Sequence, residues 1–448
     1  MFKAREINME KTKYDAIIIG AGFAGVSAAR ELSQAGYTVL ILEGRDRIGG
    51  RTWVDERLGS QLELGGAWVH WFQPHIWSEI SRYGLPIKPS PKPQKAYWVG
   101  EGKPREGTLD DLYQNMDEAM KIFLRDSMKY FPYPYEPLNQ FERLEEIDFK
   151  TVEAQLKELS LKKEVYDLLY SFWSLQFHNT LEEAALTQAY RLAALVNNQW
   201  KLIFETSSVY KIVGGTKNLI KRMLEDASGA DLRLSTNVAT VEKGDNKYKV
   251  LTKEGGIYMS RIVIAAVPLN VLTNIEFSPP LSIKKQQASV EKYDSKGFKF
   301  WARVRGVTSS FVLVAPVDRV INYVQVEEIQ EEEAIIVGFG SDSRKLDINN
   351  HLLIERELQE FLPEIQVLES TGHDWVADHL SKGTWAMLKK NQLTEYFSEL
   401  QKEEGGLFFA GSDLANGWAG FIDGAIESGI ATGKRVSRYF QGKEKLRQ

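Results

Sequence analysis

A glycine-rich turn near the start of the sequence constrains the fold more than any other stretch. Residues 14–19 form a short β-branched run, and GAGFAG follows directly at 20–25. Apolar residues then recur at helical spacing over 23–35, and a second apolar run covers 38–42. Strand, turn, helix and strand within about 30 residues are typical of a right-handed βαβ unit with parallel strands.

Each glycine of this turn has its own physical role. Gly20 permits the tight turn, Gly22 lets the backbone approach a pyrophosphate, and Gly25 lets the helix pack on the strand. The N-terminus of the following helix supplies N–H groups and partial positive charge for phosphates. Glu43 ends the second strand, where a carboxylate can accept two ribose hydroxyl protons and would repel a 2′-phosphate. The stretch therefore predicts a dinucleotide site that does not take NADP.

Length and composition limit the remaining options. A chain of 448 residues is too long for one ordinary core, so we expect two domains and room for a large cofactor. The net charge of -5 is spread without long runs of one sign, which gives no basic stripe for nucleic acid. The sequence has no cysteine, which excludes disulfides, thiolate metal sites, thiol catalysis and cysteinyl cofactor linkages.

Hydropathy predicts a cytoplasmic protein without a membrane partner. Residues 1–15 are charged and lack the apolar segment of a signal peptide or an anchor. A run of about 18 apolar residues, as a membrane helix needs, occurs nowhere in the sequence, and the last eight residues are polar.

A second glycine pair indicates which dinucleotide is bound. ILEGRDRIGGRT at 41–52 resembles the extended fingerprint of FAD proteins of the glutathione-reductase superfamily. In that superfamily a G-G-R segment follows the ribose-binding acid, and its backbone and arginine hold the FAD diphosphate. The resemblance implies that Gly50 and Arg51 form a second clamp, which a nicotinamide dehydrogenase does not require.

Three further stretches resemble the flavin-containing amine oxidases, of which the monoamine oxidases are examples. They are ELGGAWVH at 63–70, VYKIVGGTKNLIKRM at 209–223 and LFFAGSDLANGWAGFIDGAIESG at 407–429. In the family these correspond to a glycine pair beside the isoalloxazine ring, a Gly-Gly turn before the adenine-side strands, and a C-terminal signature at the flavin. The resemblance covers most of the chain and implies further FAD contacts from Gly66, Ala67, Trp68, Asp413 and the backbone of Val238 and Ile422.

The expected fold class is α/β (α+β), with two interleaved domains. A glutathione-reductase-type FAD-binding Rossmann domain is assigned to 13–88, 205–285 and 402–442. A substrate domain made of a mixed β-sheet and helices is assigned to 89–204 and 286–401. Long amphipathic stretches such as KKEVYDLLYSFWSLQF indicate that the first part of the substrate domain is mainly helical.

The family resemblance also implies an apolar substrate slot at the flavin. Two aromatic rings stand roughly perpendicular to the flavin in these enzymes, and SKGTWAM and WAGFIDG place Trp385 and Phe421 at those positions. Monoamine oxidases have tyrosines at both, so this chain keeps the walls and loses the hydroxyls. Trp418 is expected to support packing only. Burial between such walls disfavours an ammonium ion and so keeps the amine neutral.

A lysine that holds a water against flavin N5 is a further family feature. YDSKGFKFWARV offers Lys296 and Lys299, and Lys299 directly enters the strand, so we assign the catalytic role to Lys299. Thr384 stands where monoamine oxidases carry the cysteine that links to the flavin, so we expect noncovalent FAD. A histidyl link through His70 stays open as an alternative.

Substrate contacts are expected from side chains near two histidines. These residues are His70, Phe177, His178, Trp385 and Phe421, with Asn179 as a further candidate. No histidine pair has metal-ligand spacing, so we predict no metal site, and no Ser-His-Asp set is indicated.

The predicted activity is FAD-dependent oxidation of the C–N bond of a small-molecule amine. Hydride transfer from the α-carbon to flavin N5 gives an imine that hydrolyses to an aldehyde or ketone, and O2 reoxidises the flavin to give hydrogen peroxide. Alternatives are an amine dehydrogenase that passes electrons to a carrier protein, and an L-amino-acid oxidase, which needs an arginine at the substrate carboxylate. A non-amine flavoprotein and a non-catalytic FAD-binding protein also stay open. A homodimer is an open alternative to a monomer.

Overall fold

The first strand, turn and helix form as the glycine motif predicts. The structure, a computed structural model, describes residues 13–293 and 295–445. It begins with β1 (Lys13–Ile19), α1 (Phe23–Gln34) and β2 (Val39–Leu42), and β1 and β2 pair in parallel. A Cβ added to Gly25 would lie 2.0 Å from the carbonyl oxygen of Gly20, so only glycine lets the helix approach the turn this closely. The sequence predicts that the segment 1–15 is neither a signal peptide nor an anchor, and its residues 1–12 lie outside the described residues.

The remaining strands follow along the chain. They are β3 (Val54–Arg57), β4 (Ser60–Glu63), β5 (Ile87–Pro89), β6 (Lys95–Gly100), β7 (Lys103–Gly107), β8 (Tyr210–Ile212), β9 (Ala230–Arg233), β10 (Val238–Lys243), β11 (Tyr248–Thr252), β12 (Ile257–Ala265), β13 (Glu276–Ser278), β14 (Phe298–Arg305), β15 (Phe311–Val314), β16 (Tyr323–Gln330), β17 (Glu333–Gly340), β18 (Gln366–Gly372) and β19 (Leu407–Phe409).

The remaining helices include the mainly helical region that the amphipathic stretches predict. They are α2 (Pro74–Arg82), α3 (Leu109–Leu124), α4 (Ser127–Tyr130), α5 (Phe141–Glu145), α6 (Val152–Glu158), α7 (Lys163–Phe177), α8 (Leu186–Leu195), α9 (Trp200–Ser208), α10 (Thr216–Glu225), α11 (Ile283–Glu291), α12 (His351–Gln359), α13 (Gln392–Gln401) and α14 (Ile422–Lys445), with short 3-10 helices at Leu269–Asn274, Ser343–Lys345 and Ser412–Leu414.

The first sheet joins strands from the beginning, middle and end of the chain. Its order is β13-β10-β11-β12-β1-β2-β9, and β19 pairs with the end of β12. β1 lies parallel to β12 and β2, and β19 is parallel to β12, whereas β11 runs antiparallel to β10 and β12. Parallel neighbours bring their carboxyl ends to one edge of the sheet, where α/β proteins bind their ligands.

The second sheet is mainly antiparallel and is covered on both faces. Its order is β18-β14-β17-β16-β15-β6-β7, with β15 parallel to β6. One face shares a hydrophobic core with the helical region, in which Phe123 and Trp173 have ring centroids 5.4 Å apart. The other face packs on α12 through Ile354 and Leu358. Because both faces are covered, residues 298–302 of β14 and 323–326 of β16 are buried without alternation, and these stretches are largely apolar.

Two of the predicted domain boundaries fall inside helices. The boundary at 205 lies inside α9 and that at 285 lies inside α11, so a cut at either point would divide a helix. The division into two domains with these boundaries stays a prediction. None of the helices formed by the described residues combines the length and apolar character that crossing a membrane requires.

Candidate active site

A cavity of about 550 Å³ lies at the carboxyl ends of β1, β2 and β12 and extends to the second sheet. Most residues that the sequence assigns to the site line it. These are Gly20, Gly22, Glu43, Gly50, Arg51, Gly66, Ala67, Trp68, His178, Val238, Lys299, Trp385, Phe421 and Ile422. The packing of the two sheets thus brings motifs from distant parts of the chain around one space.

The two glycine turns face each other at one part of the cavity. Gly20 and Gly50 have φ angles of +108° and +59°, which favour glycine. A Cβ added to Gly50 would lie 3.3 Å from the Cα of Gly22. A side chain on either turn would fill this cradle, so its backbone N–H groups stay accessible to an anionic ligand. This geometry fits the diphosphate of FAD.

The carboxylate of Glu43 is buried at the end of β2. It accepts backbone hydrogen bonds from Ala21 (2.7 Å) and Arg45 (2.8 Å), which fix its orientation beside the glycine turn. A carboxylate has about four acceptor positions, so two N–H donors leave capacity for ribose hydroxyls. Glu43 lines the cavity, in keeping with the predicted ribose contact.

Arg51 links three segments that are far apart in sequence. Its guanidinium donates to the Tyr293 hydroxyl (2.5 Å), the Thr384 carbonyl (3.1 Å) and the Asp413 carboxylate (2.5 Å). Although burial opposes the charge, the carboxylate of Asp413 raises the pKa of Arg51 above its ordinary value. Arg51 is therefore a fixed cation at the cavity wall.

Asp413 differs from its predicted place. Its neighbour Ser412 is among the described residues that line the cavity, but Asp413 is not. The Asp413 carboxylate is buried, and it also accepts the backbone N–H of Leu269 (2.9 Å). In this structure Asp413 contacts Arg51 rather than the cavity, so its effect on a cofactor would be exerted through Arg51.

Lys299 lies on β14 and lines the cavity. Its ammonium donates to the carbonyls of Glu63 (2.7 Å) and Gly65 (2.9 Å), and the nitrogen lies 4.8 Å from the ring centroid of Trp68. Burial lowers the pKa of Lys299, while the nearby Glu63 carboxylate opposes that shift. Lys296, the other candidate, is exposed at the surface. The geometry therefore favours Lys299 for a role at the cavity.

His178 and Trp385 form a stacked pair on the cavity wall. Their ring centroids are 4.3 Å apart with an interplanar angle of 4°, and the Trp385 indole donates to the carbonyl of Gln176 (2.8 Å). His178 Nε2 lies 3.0 Å from the Phe298 carbonyl, which can only accept, so Nε2 carries the proton. His178 Nδ1 then accepts from the Thr384 hydroxyl at 2.9 Å.

Burial keeps this histidine neutral. It lowers the pKa of His178 to about 4, and the like charge of Lys299 acts in the same direction. A neutral ring adds no charge to the wall, so the stacked pair presents an aromatic surface. The tertiary structure thus stacks neutral His178 against Trp385 on the cavity wall, and it commits the Thr384 hydroxyl to a hydrogen bond.

Phe421 is the second predicted aromatic wall. It lines the cavity, and its ring packs edge to face on Trp418 with centroids 5.2 Å apart. Trp418 is fully buried and donates its indole N–H to the Phe72 carbonyl (3.0 Å). This is the packing support that the sequence predicts for Trp418.

Besides Asp413, four residues expected from the sequence at the site are absent from the described cavity lining: Gly25, His70, Phe177 and Asn179. His70 is fully buried, accepts the Phe72 backbone N–H (3.1 Å) and lies 3.2 Å from Glu205, so its ring is held in the protein interior. Phe177 packs in the core shared by the helices and the second sheet. Predicted substrate contacts from His70 and Phe177 have no support in this geometry, and Gly25 serves helix packing.

Several lining residues were missed from the sequence. Tyr323 and Phe339 come from β16 and β17, and Trp375 precedes the turn that carries Thr384. From the sequence, a strand predicts only that successive side chains point to opposite faces of the sheet. The sequence therefore could not show which face of β16 and β17 lines the cavity. Trp375 donates its indole N–H to the Leu64 carbonyl (3.0 Å), which ties its loop to the ELGGAW segment.

One cluster contains residue types that bind metals. Single ligand atoms of His75, Asp423 and Glu427 all lie within 4.8 Å of one another. Asp423 accepts the backbone N–H groups of His75 (2.6 Å) and Ile76 (2.9 Å), and Glu427 accepts that of Gly417 (2.9 Å). These hydrogen bonds at the start of α2 and at the 415–421 loop account for the position of both carboxylates.

Comparison with known proteins identifies the family. A family model described as flavin-containing amine oxidoreductase matches residues 23–297 and 352–437. This chain belongs to that family. Membership confirms the resemblance that the four motifs suggested, together with the prediction of an oxidoreductase that uses a flavin.

Two relatives match nearly the whole chain. Pseudooxynicotine dehydrogenase of Pseudomonas sp is 38% identical over 96% of this chain and 87% of its own length. Nicotine dehydrogenase of Pseudomonas putida (strain DSM 28022 / S16) is 34% identical over 95% of this chain and 88% of its own length. Both are named for oxidation of an amine, which supports amine oxidation as the general activity.

The fold has a solved counterpart. Wild-type putrescine oxidase bound to putrescine superimposes with a TM-score of 0.82 at 22% identity, covering 96% of this chain and 100% of that one. The predicted α/β class, with an FAD-type Rossmann domain beside a mixed sheet and helices, is confirmed.

Proposed function

We propose that this protein oxidises an amine at the carbon next to nitrogen, with one noncovalent FAD per chain. The observation that carries the proposal is that Lys299, Trp385 and Phe421 line the same cavity as the two glycine turns. When bound, FAD would supply the ring that accepts the hydride. Gly20, Gly22, Gly50, Glu43 and Arg51 would hold its diphosphate and ribose.

The protein's own side chains prepare the amine and exclude water. Trp385 and Phe421 give the cavity apolar walls, which disfavour an ammonium ion and keep the amine neutral. Neutral His178 adds no charge behind Trp385. Two of the three N–H groups of Lys299 bind carbonyls, and the third can donate to a water in the cavity.

The substrate class follows from the relatives and the aromatic lining. Nicotine and pseudooxynicotine are amines that carry a pyridine ring, and we infer that this chain also takes an amine with an aromatic ring. Aromatic rings pack favourably against Trp and Phe side chains, beyond the area that they bury. An L-amino acid is disfavoured, because the charged lining residues offer no arginine beyond Arg45 and Arg51, which sit at the glycine turns.

The electron acceptor is inferred from the relatives. The sequence favoured O2, with a carrier protein as the alternative, and both relatives described above are named dehydrogenases. We infer that a carrier takes the electrons in turnover and that O2 reacts slowly. The cytoplasmic location and the homodimer stay predictions.

Anaerobic mixing with amines tests this function. The yellow protein is mixed under nitrogen with nicotine, pseudooxynicotine, putrescine and an L-amino acid, and the loss of flavin colour is recorded. A pyridine-bearing amine should bleach the protein fastest. Failure of every amine to bleach it would contradict the proposed activity. Admitting air then decides the acceptor, since rapid return of colour with formation of peroxide would identify an oxidase.

The flavin is expected to be released completely by acid. Covalent linkage in monoamine oxidases uses a cysteine thiolate, and this chain has no cysteine. The hydroxyl of Thr384, at the matching position, is hydrogen-bonded to His178. Acid precipitation should therefore move all yellow colour to the supernatant. Colour in the washed pellet, with one peptide heavier by the mass of FAD, would contradict noncovalent binding.

Removing either aromatic wall is expected to slow bleaching by amine. Trp385→Ala and Phe421→Ala should each lower the rate by roughly 10- to 100-fold, because lost apolar contact weakens positioning and admits water. FAD content should be unchanged. Matched controls are Trp71→Ala and Phe149→Ala, whose exposed side chains lie outside the described cavity lining. Equal bleaching rates in the wall variants and the wild type would show that Trp385 and Phe421 serve packing only.

A further inference from the structure

The lysine at the cavity is held by the backbone of a residue whose side chain is itself charged. Lys299 donates to the carbonyl oxygen of Glu63, as does the indole of Trp301 (3.0 Å). The Glu63 carboxylate is buried and accepts the backbone N–H (2.6 Å) and the hydroxyl (3.0 Å) of Thr216 at the start of α10. Both donors are neutral, so these hydrogen bonds orient the negative charge of Glu63 without cancelling it.

A second buried lysine, Lys211, interacts electrostatically with Glu63. Lys211 belongs to β8, forms a β-bridge with Trp68 and is largely buried. Its ammonium pairs directly with Glu327, whose carboxylate also accepts the Ser90 hydroxyl (3.1 Å). Lys211 is thus next to the cavity wall but has its own counter-ion.

Two lysines and two carboxylates form one buried set: Lys299, Glu63, Lys211 and Glu327. Glu63 interacts electrostatically with both lysines. Burial lowers the pKa of Lys299 and Lys211 and raises that of Glu63, because each group loses solvation. Among the described residues, His178 also interacts electrostatically with Lys299, and Lys88 and Glu328 interact with Lys211.

Charge balance explains why the set can stay ionised. With all four ionised the set carries no net charge, which limits the cost of burying it. Loss of the Glu63 charge would leave two cations and one anion, and Lys299, which has no carboxylate within 4 Å among the described residues, would give up its proton most easily. Loss of the Lys211 charge would leave an excess of negative charge and favour protonated Lys299.

We propose that the Glu63 carboxylate keeps Lys299 protonated and that Lys211 opposes it, so that Glu63 is a positioning residue for the amine oxidation proposed above. Glu63 does not line the described cavity and acts through Lys299. The inference rests on the proposed function and deepens it, because it assigns control of the Lys299 charge at the cavity wall to residues on β4 and β8.

Three variants separate an electrostatic role from a structural one. Glu63→Gln keeps the size of the side chain and an acceptor for Thr216 but removes the charge. Lys211→Met removes the opposing cation. Lys211→Met/Glu327→Gln removes the Lys211–Glu327 pair together and restores the balance between Glu63 and Lys299. The expected signs are opposite for the first two variants, which a general loss of packing would not produce.

The protonation of Lys299 is measured directly on the FAD-loaded protein. Lysine is labelled with carbon-13 at Cε, the Lys299 signal is assigned by its loss in Lys299→Met, and its shift is followed against pH. We expect the midpoint to move to lower pH by about one unit in Glu63→Gln and to higher pH in Lys211→Met. The double variant should return to near the wild-type midpoint, and the pH profile of bleaching by amine should move with the midpoint.

Equal midpoints in all proteins, or shifts of the same sign in Glu63→Gln and Lys211→Met, would overturn the proposal. If Glu63→Gln does not fold, the signs of Lys211→Met and the double variant still decide it. The titration needs no substrate, so its outcome is separate from that of the proposed function. A protein in which the lysine midpoints shift as expected but no amine bleaches the flavin would refute the function and keep the charge coupling.

Discussion

Arg51→Met is expected to yield protein that is largely free of FAD and less stable by about 3–5 kcal/mol. The Arg51 guanidinium reaches Tyr293, Thr384, Ser412 and Asp413, so one side chain fixes three segments at the predicted diphosphate site. Removing it leaves the buried Asp413 carboxylate without its cation, and an uncompensated buried charge is costly. The ratio of FAD to protein and the thermal unfolding midpoint measure both effects.

A double variant separates the two effects of Arg51. Arg51→Met/Asp413→Asn removes the uncompensated charge and should recover much of the stability. FAD retention should stay low, because the positive charge at the glycine turns is still missing. Full FAD occupancy in both variants would show that Arg51 is not part of the cofactor site.

Lys299→Met is expected to slow the return of flavin colour in air by about 10²-fold from the slow rate proposed for the wild type, and to slow bleaching by amine less. The ammonium is anchored on the carbonyls of Glu63 and Gly65, and it supplies the buried positive charge on this part of the cavity wall. Methionine keeps the length of the side chain but can neither donate a hydrogen bond nor carry the charge. Stopped-flow absorbance of the FAD-loaded protein separates the two half-reactions.

Lys296→Met is the matched control for this substitution. Lys296 lies three residues earlier and is exposed, whereas Lys299 is buried. Replacing Lys296 should therefore change neither the rate of bleaching nor the rate of reoxidation appreciably. A larger defect in Lys296→Met than in Lys299→Met would contradict the assignment of the strand lysine.

The cofactor half of the site could be predicted from the sequence because its signals are local. Gly20 and Gly50 are favoured by the positive φ angles of the turns, and Gly22 keeps the space between the turns free of a side chain. Glu43 follows because the end of β2 lies beside the turn in any parallel βαβ unit. Trp385 and Phe421 could be located only because their neighbours resemble family signatures.

The rest was decided by the packing of the two sheets and the helices. Of two histidines that looked equivalent in the sequence, His178 reaches the cavity and His70 is held beside Glu205 in the interior. Asp413 contacts Arg51, and Lys211 interacts electrostatically with Glu63, across long separations along the chain. Such contacts depend on how whole strands and helices are placed relative to one another, and the burial of each group then determines its protonation state. A local sequence pattern contains neither the placement of the elements nor the burial of the groups. Only the tertiary structure could therefore assign these contacts.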